Sequence, residues 1–81
     1  MFAAAIAFAA AHNPAAAAAH VAAHPAEVDA VLASFGLMDQ MNASQIYTFS
    51  GINLRTVECM VETGLLTMIG YNRGGSPVYS L

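Results

Sequence analysis

At 81 residues the chain has room for one domain and one small hydrophobic core. It carries two arginines, no lysine and five carboxylates, a formal net charge of −3, which excludes the broad basic surface that most nucleic-acid binders use to neutralise phosphates. Cys59 is the single cysteine, so no disulfide can staple the chain, a reducing compartment is implied and a zinc cluster is not.

The opening stretch, "MFAAAIAFAAAHNPAAAAAHVAAH", lacks the basic n-region of a signal peptide. It is mostly alanine, is broken at His12-Asn13-Pro14 and has no flanking Lys or Arg, so it does not read as a membrane span. No membrane partner is expected, and the expected location is the cytoplasm. Alanine forms helix without side-chain entropy loss, so residues 2–11 predict a short helix. Asn13 then caps a second helix with Pro14 at its first position. The chain bends at His24, because the residue before Pro25 is pushed out of the helical region. Glu27 and Asp29 suit the first turn of the next helix. Val28, Val31, Leu32 and Phe35 form its apolar stripe, and Gly36 its expected C-cap.

Asn42 followed by Gln45 is a capping-box pattern. Ile46 and Phe49 are expected to point inward together, and Gly51 to make a turn. Asn53 caps a further helix whose inward face is read as Leu54, Val57 and Val61, with Met60 beside them; Gly64 ends it. Beyond Gly64 the period shortens. "LLTMIGY" and "SPVYSL" read as strands joined by "NRGG", and a two-stranded hairpin must pack on the helices to be stable. The expected fold is therefore mostly α (α+β), a single domain over 1–81: an Ala-rich helical segment over 1–41, then a winged helix-turn-helix over 42–81, with about five helices and a two-stranded wing.

Residues 43–81 resemble the winged-helix domain of MerR-type regulators and its relatives among phage excisionases and terminase small subunits. The resemblance is carried by "GINLRTV", by the short helix closing at "ETGLL" and by "RGGSPVY". It implies that the helix from Asn53 enters the major groove of double-stranded DNA. Carried over by position, Arg55 and Thr56 meet phosphate, Asn72 and Arg73 form the wing tip, and Ser44 and Thr48 add hydroxyl contacts. The pattern departs at Glu58 and Cys59, where MerR-type chains commonly show a basic residue and then an aromatic one.

Two functions of different class follow, neither enzymatic and neither needing a cofactor. The first is a small phage-type or mobile-element regulator that binds DNA as a dimer, which doubles the arginine count and supplies two half-sites. The alternative is a protein-binding inhibitor of a host protein or defence complex, anti-CRISPR-like; a structural subunit of a larger assembly is the remaining reading. It would use the acidic face of Glu58, Cys59 and Glu62 together with Phe2, Ile6 and Phe8. A phage-encoded protein of either kind would act in the bacterial cytoplasm. His12, His20 and His24 are read as helix-end or surface histidines rather than metal ligands. Cys59 is read as a structural thiol, since Glu58 and Glu62 disfavour its thiolate. Tyr47, Tyr71 and Tyr79, with Met38 and Met41, are read as core-packing side chains.

Overall fold

The structure is a computed structural model and describes residues 13–81. The helix expected over 2–11, with Phe2, Ile6 and Phe8, lies outside the described residues. Helix α1 (Pro14–Ala23) starts where expected: the Asn13 side-chain oxygen accepts from the Ala15 and Ala16 N–H groups at 3.1 and 3.2 Å. His24, at φ −129° and ψ 55°, is both the end of α1 and the cap of α2 (Pro25–Ser34). The proline that follows it forbids continuous helix there. Val28, Val31 and Phe35 are buried. Helix α2 ends at Phe35 in the right-handed region rather than on a left-handed Gly36.

A short strand, β1 (Gln40–Asn42), follows. The sequence pattern predicts no strand there. Three residues are too few to display an alternating pattern, and the partner strand lies far along the chain. Helix α3 (Ala43–Ser50) then begins on the expected capping box. Asn42 accepts from the Gln45 N–H and the Gln45 side chain accepts from the Asn42 N–H, both at 2.9 Å. Asn42→Ala removes one half of this reciprocal pair. It is expected to cost about 0.5–2 kcal/mol, read as a lower urea midpoint with an unchanged denaturant slope.

Gly51, at φ 78°, ends α3 in the left-handed region, and its N–H donates to the Tyr47 carbonyl at 2.8 Å. Helix α4 (Leu54–Glu62) is capped by Asn53, which accepts from the Thr56 N–H at 3.4 Å. Strands β2 (Thr67–Tyr71) and β3 (Pro77–Ser80) make the expected hairpin. The sheet, however, has three antiparallel strands in the order β1–β3–β2. Tyr79 at its centre lies opposite Met41 on one side and Met68 on the other. Pairing then skips from Met68 to Gly70, leaving Ile69 as the extra residue of a bulge, a step eased by Gly70 at φ 153°.

The described residues thus form a mixed α+β domain of four helices and a three-stranded sheet. Val31, Met41, Ile46, Val57, Met60 and Leu66 are almost wholly removed from water where α2, α3 and α4 meet the sheet. Each such side chain contributes about 1.5–3 kcal/mol. Four inward assignments are corrected. Phe49 and Leu54 are each 45 % exposed, because the eight-residue α3 buries Ile46 alone and Leu54 lies at the rim of α4. Tyr47 and Tyr71 are exposed, and only Tyr79 packs in the core.

Candidate functional site

Side chains on α4 follow one another at about 100° per residue, which sorts them into a covered and a less covered arc. The covered arc is wide because α1, α2 and α3 all pack on α4. Val57, Met60 and Val61 face the core. Helix α1 packs along the other flank, the most extensive helix–helix contact among the described residues. The less covered arc carries the exposed Leu54 and Arg55 and the half-buried Glu58 and Glu62, with Leu65, 39 % exposed, just beyond its end.

This arrangement corrects two site assignments. Thr56 is fully buried, so its side chain is unavailable to phosphate. Cys59 is 7 % exposed and belongs to the covered flank rather than to a docking face. Burial pushes the Cys59 thiol above its ordinary value, with Glu58 and Glu62 adding to the shift and Arg55 opposing it. The thiol is kept protonated and is a poor nucleophile. Burial likewise raises Tyr79, with smaller pushes from Glu58 and Tyr71.

The covered flank holds a polar cluster that spans three helices. The Thr56 hydroxyl of α4 donates to Glu27 Oε1 of α2 at 2.6 Å. Its oxygen lies 2.9 Å from His20 Nε2 of α1. His24 Nδ1 lies 2.8 Å from the His20 carbonyl, and the two imidazoles stack with centroids 4.2 Å apart. His20 sits below its ordinary value through burial first, then through His24 and Arg55, with Glu27 opposing. The sequence shows His20 and His24 one helical turn apart but gives no sign that Thr56 and Glu27 complete the cluster.

The remaining expected site residues are on the surface. Ser44 and Thr48 are exposed on α3, where the Thr48 hydroxyl donates back to the Ser44 carbonyl at 2.9 Å. Asn72 and Arg73 are exposed at the β2–β3 tip. The Asn72 side-chain oxygen accepts from the Gly74 and Ser76 N–H groups at 2.9 and 3.0 Å. It thereby builds the turn that presents Arg73.

Among the described residues no group of three or more His, Cys, Asp or Glu is placed to hold a metal ion, and no helix is long and apolar enough to cross a membrane. The chain has no significant match among protein-family models, curated proteins or solved structures.

Proposed function

We propose that the domain is a winged helix-turn-helix that binds double-stranded DNA as a dimer, with α4 in the major groove and the β2–β3 hairpin as the wing. The element order helix–strand–helix–helix–strand–strand, with the first strand paired to the last, supports the fold assignment. One observation carries the functional assignment. The whole chain has two cationic side chains, and both are exposed, one in the first turn of α4 and one at the hairpin tip. The N-terminus of α4 adds oriented N–H groups and a dipole that favour an anion.

Glu58 and Glu62 oppose phosphate by about 1 kcal/mol per close pair in high dielectric. They weaken binding to arbitrary sequence while remaining able to accept from cytosine N4, so the protein should bind random DNA weakly and select its site sharply. Fluorescence anisotropy of a labelled duplex, titrated at about 50 and about 200 mM salt, tests this. Binding should weaken steeply with salt, and Arg55→Ala and Arg73→Ala should each flatten the slope by about 1. No binding at the lower salt sinks the proposal.

A second reading, docking on a protein partner, is favoured by Leu54 and Leu65 flanking Glu58 and Glu62 on the less covered arc. There, reversing charge at Glu58 and Glu62 should abolish partner capture while the arginine changes leave it intact.

A further inference from the structure

We propose that the outer edge of β2 is the surface through which two copies of this chain join, strand against antiparallel strand, into one continuous sheet. The inference rests on the proposed function for the purpose of a dimer, not for its geometry.

Strand β2 is an edge of the sheet, and the pairing shows which backbone groups it leaves free. Pro77 has no N–H, so Tyr71 and Pro77 form a non-hydrogen-bonded pair. The next pair along is bonded: the Asn72 N–H donates to the Ser76 carbonyl at 2.9 Å. Bonded and non-bonded positions alternate along β3, so Val78 faces β2 and Tyr79 faces β1. Met68, opposite Tyr79, is therefore non-bonded as well. Met68 and Tyr71 thus turn their N–H and C=O groups away from β3, and among the described residues no other strand pairs with them.

The side chains suit a partner strand. Residues opposite each other share a face of the sheet, so Met68 lies on the face of the buried Tyr79, and Tyr71, opposite Pro77, lies on the same face. Met68 is 43 % exposed, Ile69 46 % and Tyr71 65 %. From Thr63 to Asn72 there is no charged side chain, and β2 holds none of the lysines or prolines that block edge pairing. The opposite edge, β1, has three residues and runs straight into α3.

Two features make a second copy the occupant. With the strands antiparallel about a two-fold axis between Ile69 and Gly70, Met68 of each copy meets Tyr71 of the other, free backbone groups against free backbone groups. Ile69 of each then lies opposite Gly70 of the other, which has no side chain to crowd it, and the thioether–aromatic pairs extend the core face across the junction. The charge is also self-complementary. Glu62 precedes the uncharged stretch and Arg73 follows it, so antiparallel pairing brings each copy's cationic end towards the other's anionic end, an attraction that needs no direct ion pair.

The test is sedimentation equilibrium of the full chain without DNA between about 10 μM and 1 mM, with amide exchange of the same samples read residue by residue. The chain should dimerise in that range. Protection of the Met68 and Tyr71 N–H groups should rise with concentration, while that of Gly70, already bonded to β3, stays high throughout. Tyr71→Lys, at a side chain mostly in water, should weaken association by about tenfold or more. A chain that stays monomeric, whether residues 1–12 or nothing covers the edge, overturns the proposal. So does a dimer whose Met68 and Tyr71 amides gain no protection, or one that Tyr71→Lys leaves intact. Should the variant not fold, the exchange profile of the native chain decides alone. No DNA is present, so failure here leaves DNA binding to its own test, and absence of DNA binding leaves this dimer standing.

Discussion

Met60→Ala should lower the free energy of unfolding by about 2–5 kcal/mol, the largest loss expected from a single side chain here. Met60 is fully buried on α4, in the cluster that joins α2, α3 and the sheet. Its carbonyl also receives the Leu65 and Leu66 N–H groups, at 2.8 and 3.2 Å, as the chain leaves the helix. That turn is backbone chemistry and survives the substitution, so the loss reports packing alone. A domain of this size has a total stability near the low end of about 5–15 kcal/mol, and Met60→Ala therefore removes a large share of it. Urea titration should show a lower midpoint at unchanged slope. Met60→Leu, which conserves volume, should cost less than about 1.5 kcal/mol. A loss under about 1 kcal/mol for the alanine variant would mean that the core is placed wrongly.

The second large effect is expected at Thr56. Valine matches threonine in shape but cannot hydrogen-bond, so Thr56→Val leaves the His20 N–H without its acceptor and Glu27 without its donor. The expected cost is about 1–3 kcal/mol. Thr56→Ser keeps the hydroxyl and deletes one methyl, and should cost about 1 kcal/mol or less. The order of the two variants is the diagnostic: a valine protein as stable as the native one would show that the cluster adds nothing to folding.

The features legible in the sequence are those whose chemistry is completed within a few residues. Asn13, Asn42 with Gln45, Gly51 and Asn53 each act on backbone two to four positions away, so the caps and turns could be read in place. The stripe of Val28, Val31 and Phe35 was legible for the same reason. What could not be read depends on distant partners. Strand β1 exists because Met41 meets Tyr79. Thr56 is buried where α1 packs on α4, and a run of alanines carries no periodicity to announce which surface it will cover. The surface site divides the same way. Arg55 and Arg73 stand out by scarcity alone, whereas the cluster of His20, Glu27 and Thr56 draws one residue from each of three helices.

The sheet's strand order also bears on the sequence of events during folding. Strand β3 is last along the chain yet central in the sheet, so Gln40–Ser80 and Thr67–Ser80 pairing both wait for it. The hairpin can close early, since its ends are near neighbours along the backbone. The β1 ladder must instead close a loop containing α3, α4, β2 and the turn after it, at an entropic cost that grows with loop length. The helices and the hairpin are therefore expected to form first, with the pairing of Met41 to Tyr79 as the late step.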